Sequence, residues 1–431
     1  MKRFLYSELL NWKNRKNRKP LILEGARQVG KTWLLKEFGK NEYKNLAYIN
    51  CDNNPLMKDL FIDFNMERII RGLSAIANIN IEPESTLIVL DEIQEIPLAI
   101  TSLKYFNEEA PEYHIIAAGS LLGLKIHEGT GFPVGKTESL KLYPLSFMEF
   151  ISALGENVLF DYIKSHNWSE LNQVGAQLIE LLRQYYFVGG MPEVVLSYIT
   201  ENDIVKVREL QNSILSDYEK DFSKHTPKPL IPKLSMVWNS IPSQLAKENK
   251  KFIYGAMKPG ARAKEFEDAI QWLINAGLVH KVKRVKKIEM PLNFYEDVSS
   301  FKLFINDLGL LGAMADTPAK DVLIGSDIFS TYKGSFTEQY VAQQIISATN
   351  KNLYYHTNEN STLKIDFTIQ TNNVYPIEVK AEENLKAKSL STILQSNNNI
   401  TGLRFSMAGY KEQERITNVP LPLVEEYIKT I

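Results

Sequence analysis

The chain has 431 residues, of which 44% are hydrophobic and 23% charged, with a formal net charge of −1. This length points to two to four domains with real cores, and the neutral balance excludes attraction of nucleic acid by the molecule as a whole, so any such binding must use local patches. The single cysteine, Cys51, excludes an internal disulfide or a thiolate zinc cage and suits a reducing, cytoplasmic setting. No apolar run reaches about 18 residues, so no membrane insertion is expected.

Residues 1–19 read as an amphipathic and basic segment. Phe4, Leu5, Leu9 and Trp12 have the spacing of a short helix, and Glu8 with the lack of an apolar core sets the segment apart from a secretory signal. Lys13, Arg15, Lys16, Arg18 and Lys19 follow, either as a solvated linker or as an arm that contacts phosphate. From 20 to 155 apolar runs alternate with helical spacing, the pattern of a parallel α/β layer fold. The strand run Pro20-Leu21-Ile22-Leu23 leads into Gly25-Ala26-Arg27-Gln28-Val29-Gly30-Lys31-Thr32. Leu34, Leu35 and Phe38 then have helical spacing as far as Gly39. Strand, GxxxxGK[ST], helix is the setting of a P-loop. Its glycines permit a tight turn whose N–H groups point at phosphates. Lys31 is expected to reach the β- and γ-phosphates of ATP and Thr32 to hold Mg²⁺. A helix N-terminus alone contributes about 0.3–1 kcal/mol, against roughly −8 kcal/mol for micromolar affinity. The N–H groups, Lys31 and the metal must therefore supply the rest. Arg27 is either a further phosphate cation or an exposed loop side chain.

Asn45–Ile49 is a second strand, and 55–77 reads as one or two helices. Thr86-Leu87-Ile88-Val89-Leu90 is a continuous apolar strand that delivers Asp91-Glu92 at its C-terminal end, where open α/β sheets bind ligands. This Walker B pattern assigns Asp91 to Mg²⁺ and Glu92 to the attacking water. Tyr113–Ala118 is the next strand; Ser120 beyond it is either a sensor of the γ-phosphate or a plain helix cap. The stretch 128–136 is glycine-rich, Glu138–Leu142 is the last strand, and Ser146 with Glu149 has the spacing of a capping box.

The set GARQVGKT, LIVLDEIQ, AAGSLLG and LYPLSFMEF is similar to the AAA+, STAND-like ATPases of bacteria and archaea that carry a C-terminal domain long called one of unknown function. The resemblance covers essentially the whole chain. It implies a P-loop AAA+-like parallel sheet, ATP hydrolysis with Mg²⁺, and a ring or dimer as one way of completing the site. Where that family commonly reads Gly-Arg, the chain has Gly135-Lys136, which keeps the charge and loses the planar fork. Residues 156–203 would be a helical lid. Gly189-Gly190-Met191-Pro192-Glu193 resembles the GxP element that places Pro192 over the nucleotide, at a hinge that responds to nucleotide state.

Residues 204–290 read as three helices and a hairpin strand, a winged-helix domain. Lys258, Arg262 and Lys264 precede or open its long helix, Ala261–Ala276, which Gly277 stops. Lys281, Lys283, Arg284, Lys286 and Lys287 mark the wing, a surface for DNA phosphates or for another protein. Residues 291–431 form the last unit. Asp366 on one strand, Glu378 and Lys380 at i and i+2 on the next, and Glu338 on an upstream helix are similar to the PD-(D/E)xK site of restriction-endonuclease-like folds. There Glu338, Asp366 and Glu378 would hold a metal and Lys380 would orient water. Ile365 stands where that motif's name has proline. A nuclease, a fold of that kind that no longer cuts, and a charged hairpin all fit these residues. The expectation is an ATP-driven switch that governs either a DNA-cutting domain or a non-cleaving protein- or DNA-binding module.

Overall fold

A computed structural model describes residues 1–431 except 53, 120–132, 248–249, 325–326, 359–362, 384–387 and 398, and except the side chains of 225 and 327–331. Two compact units result. One comprises Lys2–Tyr143 with Trp272–Leu278; the other comprises Met1, Pro144–Gln271 and Val279–Ile431.

The first unit is built on five parallel strands, β1 Leu21–Glu24, β2 Asn45–Asn50, β3 Thr86–Asp91, β4 His114–Gly119 and β5 Glu138–Lys141, in the order β2-β3-β4-β1-β5. Every residue of β3 and β4 is buried, which is why these strands read as unbroken apolar runs. The helix Lys31–Glu42 buries Leu34, Leu35 and Phe38, each of which contributes about 1.5–3 kcal/mol relative to exposure. The helix Leu5–Lys13 buries Leu9 and Trp12. The basic run behind it is engaged within the unit: Lys13 pairs with Glu42 and Arg15 with Glu138, and Arg18 bonds the Lys13 and Pro111 carbonyls and lies over Trp12. These contacts favour the linker over the phosphate arm.

The second unit opens with the helix Phe147–Ala153. The Ser146 hydroxyl accepts from the Glu149 N–H at 3.2 Å while the Glu149 carboxylate accepts from the Ser146 N–H at 3.1 Å, the capping box that the spacing predicts. Helices Asn157–Lys164, Gly175–Val188, Pro192–Glu201, Ile204–His225 and Ile231–Leu245 follow. The helix Ala263–Asn275 ends on Gly277 at φ +73°, with Leu278 N–H on Leu273 O and Gly277 N–H on Ile274 O, a Schellman stop as expected.

The hairpin read as a wing lies within an eight-stranded sheet, ordered β12-β13-β11-β10-β9-β8-β6-β7. Its strands are β6 Val279–Val285, β7 Glu296–Ile305, β8 Leu353–Thr357, β9 Lys364–Gln370, β10 Val374–Val379, β11 Gly402–Ser406, β12 Lys411–Gln413 and β13 Ile416–Pro420. β6 pairs with β7 on one side and runs parallel to β8 on the other, so the boundary expected at 290 falls inside one sheet. The cause is burial: Val285 belongs to a core with Tyr354, Ile365 and Leu394. Within this sheet, the helix Asp327–Thr349, the antiparallel β8-β9-β10, the helix Lys388–Ser396 and β11, parallel to β10, follow one another as α-β-β-β-α-β.

The Gly189-Gly190 turn is held tightly within this unit. Asp307, fully buried and pushed up to about 6 by that burial, accepts from Gly190 N–H at 2.6 Å and Leu310 N–H at 3.0 Å. Gly190 O accepts from Leu145 N–H at 2.6 Å. A Cβ on Gly190 would stand 2.1 Å from Leu145 O. Gly190→Ala should therefore destabilise the chain by about 3 kcal/mol, the upper end of overpacking costs, as read from urea unfolding; a loss below roughly 1 kcal/mol would show that the turn gives way freely.

Candidate functional site

The phosphate loop joins β1 to the helix Lys31–Glu42. Its two bends are backbone features: Gln28 lies at φ +65° and Gly30 at φ +93°, and no side chain caps the helix at Gly30. Gly25 is required by close approach, since a Cβ there would stand 2.4 Å from Leu142 O. Ala26 and Val29 are buried, Arg27 is half-buried, and Val29 O accepts from the Arg3 guanidinium at 2.8 Å. Lys31 is 6% exposed, and its ammonium donates to Gly25 O and Ala26 O, both at 2.8 Å. Burial lowers its pKa to about 8, opposed by Glu92 and Asp91. The loop thus concentrates backbone N–H groups and one buried cation at the end of a helix, a site for polyphosphate.

Asp91, at the end of β3, faces this loop. Its Oδ2 accepts from Thr32 Oγ1 at 2.6 Å and from Tyr48 OH at 2.8 Å, and its Oδ1 accepts from Glu92 N–H at 3.1 Å. Glu92 sits in the left-handed region at φ +53°, a conformation that costs a non-glycine residue on the order of 1–3 kcal/mol and is common at functional sites. Its Oε2 accepts from Gln94 Nε2 at 2.5 Å. Tyr48 and Gln94 were not singled out from the sequence. The available signals were a polar residue near the C-terminal end of β2, beside β3, and the i+2 spacing of Gln94 from Glu92. Ser120 lies outside the described residues, as do Gly129 and Gly131 of the glycine-rich stretch. Lys136 pairs with Glu108 at 2.8 Å. Pro192 opens the helix Pro192–Glu201 in the other unit.

The donor set fits Mg²⁺. Adjacent ligands of an octahedral ion at 2.0–2.1 Å lie about 2.9 Å apart, and the Thr32 hydroxyl and Asp91 carboxylate already stand at 2.6 Å. Both are hard oxygens, and the hydroxyl can turn its proton away to coordinate.

The carboxylates of the second unit are differently placed. Glu338, on the helix Asp327–Thr349, meets Lys250 at 2.6 Å, Lys302 at 3.1 Å and Lys364 at 3.8 Å. These ammonium groups hold its carboxyl well below the usual range despite burial. Asp366 on β9 faces Lys364 at 3.3 Å and accepts from Val379 N–H at 2.9 Å. Glu378 on β10 meets Lys380 at 2.7 Å; its Oε2 is buried without a hydrogen-bond partner among the described residues, and burial raises its pKa. The expected residues are thus on neighbouring elements, and lysines that the sequence reading passed over stand among them. Among the described residues no three His, Cys, Asp or Glu side chains gather as a metal-holding group. Of the cations on the expected wing, Lys283 pairs with Glu296 and Arg284 with Asp297, both at 2.6 Å, and Lys281 lies over Phe301. Lys258, Arg262, Lys264, Lys286 and Lys287 are exposed.

Residues 17–151 match the family model of an AAA domain. Residues 179–321 and 333–424 each match a domain of unknown function, DUF8612 and DUF4143. The comparison with curated proteins gives no match. Among solved structures, the chain is similar to the Walker-type ATPase PABY2304 of Pyrococcus abyssi, with 15% identity over 73% of this chain and 95% of that chain and a TM-score of 0.44. Similarity to the Aeropyrum pernix ORC1 protein in complex with DNA has 14% identity over 73% and 91% of the two chains and a TM-score of 0.28. Drosophila ORC bound to DNA gives 15% identity over 72% and 94% and a TM-score of 0.28. The AAA match spans β1 to β5 with the loop Gly25–Thr32, so this part of the chain is a P-loop ATPase domain of AAA type. No helix among the described residues is long and apolar enough to cross a membrane.

Two outcomes follow from these geometries. Polyphosphate binding selects the protonated form of Lys31, so the ATP dissociation constant should change little between pH 7 and 8 and rise about tenfold per unit above that. A fluorescent ATP analogue titrated across this range checks it, and a constant affinity up to pH 9.5 would remove Lys31 from phosphate contact. In the other unit, Glu338→Gln leaves three ammonium groups around a neutral amide. It should cost about 3–5 kcal/mol of unfolding free energy, measured by urea denaturation.

Proposed function

We propose that the chain is a Mg²⁺-dependent ATP hydrolase, STAND-like in having its nucleotide state control the second unit, and that it acts in the cytoplasm. The observation that carries this reading is the convergence of Thr32, Asp91 and Glu92 on the buried Lys31 loop. Gly25–Thr32 would hold the phosphates through backbone N–H groups, with Lys31 donating to the β- and γ-phosphates and Arg27 beside them; Thr32 and Asp91 would hold Mg²⁺. A metal ion bound there would offset charge on the β- and γ-phosphates. Glu92 accepts a proton from the water that attacks the γ-phosphorus, as the bond to the β-phosphate oxygen breaks to give ADP and phosphate. Gln94 orients the Glu92 carboxylate, and Tyr48 orients Asp91. Ser120 as a γ-phosphate sensor, Pro192 as part of a lid over the nucleotide, and an oligomer that completes the site belong to the same reading.

The second unit is read as a helical lid, a winged-helix segment and a restriction-endonuclease-like domain that acts on DNA. The order α-β-β-β-α-β supports the last assignment, and the exposed Lys258, Arg262, Lys264, Lys286 and Lys287 support phosphate contact. Cleavage would use Glu338, Asp366 and Glu378 with Lys380. A second reading, in which this domain binds DNA or another protein without cutting, is favoured by the lysines that engage Glu338 and Asp366.

Lys31→Ala should abolish ATP binding. Glu92→Gln should keep it and stop turnover, and normal turnover in that variant would sink the role given to Glu92. Gln94→Ala should lower kcat at least tenfold with little change in KM. Plasmid nicking with Mg²⁺ or Mn²⁺ that disappears in Asp366→Asn would establish the cutting domain; no nicking with or without ATP would favour the binding module.

A further inference from the structure

We infer that the Lys364 ammonium takes the place of a divalent cation between Glu338 and Asp366, so that the carboxylate centre of the second unit is neutralised from within and holds no metal. This deepens the second reading above and rests on it.

The inference follows from where each carboxylate oxygen is directed. Glu338 Oε1 meets Lys250 Nζ at 2.6 Å and Glu338 Oε2 meets Lys302 Nζ at 3.1 Å. Asp366 Oδ1 meets Lys364 Nζ at 3.3 Å, and Asp366 Oδ2 accepts from Val379 N–H at 2.9 Å. Glu378 Oε1 meets Lys380 Nζ at 2.7 Å. Only Glu378 Oε2 has no hydrogen-bond partner among the described residues. A hard divalent cation takes six or more oxygen ligands, in a compact octahedron for Mg²⁺, and one oxygen does not make such a site. Charge points the same way. The ammonium groups of Lys250, Lys302, Lys364 and Lys380 already outnumber the carboxylates of Glu338, Asp366 and Glu378, so a dication would enter a centre with no excess negative charge to attract it.

The lysines differ in freedom. Lys302 is fully buried, 4.9 Å from the Tyr355 ring and 5.5 Å from that of Phe367, and also donates to Asp366 O at 3.4 Å. Lys250 is nearly buried and also donates to Gly334 O at 3.2 Å. These two are built into the packing. Lys364 has 28% of its side chain exposed and spans Glu338 Oε1 at 3.8 Å and Asp366 Oδ1 at 3.3 Å. It is the ammonium that sits between two carboxylates with a way out to solvent, and it is the one whose exchange for a carboxylate would open a cation position. In place of a metal, the lysines of β7, β9 and the 250 segment clamp the helix that carries Glu338 to the sheet.

The test counts Mn²⁺ bound to the full-length chain without nucleotide or DNA, from the electron paramagnetic resonance of free Mn²⁺. Wild type and Asp366→Asn should give the same isotherm, because a weak ion at Thr32 and Asp91 contributes equally to both. Lys364→Glu, which exchanges the bridging ammonium for a carboxylate and leaves three ammonium groups against four carboxylates, should gain an additional site at least tenfold tighter than any binding by wild type, and Asp366→Asn in that background should weaken it. A wild-type site that Asp366→Asn abolishes would overturn the inference. So would a folded Lys364→Glu protein with no Asp366-dependent site. The comparison of wild type with Asp366→Asn stands even if Lys364→Glu fails to fold. The isotherm involves neither ATP nor cleavage, so its outcome is separate from the turnover and plasmid experiments.

Discussion

The hydrogen bond between Thr32 and Asp91 ties the phosphate loop to the sheet. Asp91 is 2% exposed, and a buried carboxylate is tolerated only when its oxygens find donors. Here the donors come from three places: the Thr32 hydroxyl after the loop, the Tyr48 hydroxyl on β2 and the Glu92 N–H. The Asp91 carbonyl also accepts from Cys51 N–H at 2.8 Å, just beyond β2. One side chain therefore fixes the neighbouring strand, the chain that follows β3 and the helix that follows the loop. The chemistry proposed for this site and the register of the sheet depend on the same few contacts.

The two carboxylate centres show how donor type decides what a site can become. Asp91 is held by hydroxyl and amide groups, which are neutral. A hydroxyl can rotate and offer a lone pair, so the arrangement that satisfies the folded protein also admits a cation. Glu338 is held by ammonium groups, which have no lone pair to offer and already supply the positive charge that a metal would bring. Burial penalises an unpaired carboxylate in both places, and the partners chosen to relieve it leave one centre open to a cation and the other closed.

Features carried by contiguous residues were legible in the sequence. The strand-loop-helix from Leu21, the acidic end of β3, the Ser146–Glu149 capping box and the Gly277 stop all depend on spacings of a few positions. Features set by distant parts of the chain were not. The alternation in Val279–Val285 signalled a strand but could not say that β8, far downstream, would pair with it in parallel. Lys250, Lys302 and Lys364 are ordinary lysines in sequence; only the sheet and the helix Asp327–Thr349 bring them to one glutamate. The Gly189-Gly190 pair was read as a hinge from its resemblance to the GxP element, whose glycines and proline suit one. Its local structure shows another demand for glycine, because Leu145 O and the Asp307 side chain approach too closely for a Cβ. Tyr48 and Gln94 escaped notice because a tyrosine on a strand and a glutamine after an acidic pair carry no signal until their hydroxyl and amide are placed beside Asp91 and Glu92.

Gly277 bears on the order in which the protein is made. It belongs to the compact unit of the phosphate loop, and a Cβ built on it would stand 3.2 Å from Ala26 N. The backbone against which Ala26 rests is therefore supplied by a segment that leaves the ribosome long after the loop itself. The strands from β1 to β5 can assemble early, but the wall behind the phosphate loop is set only when Trp272–Leu278 arrives. The nascent chain must then carry a nucleotide domain lacking one of its own pieces through the synthesis of every helix from Phe147 to Leu245.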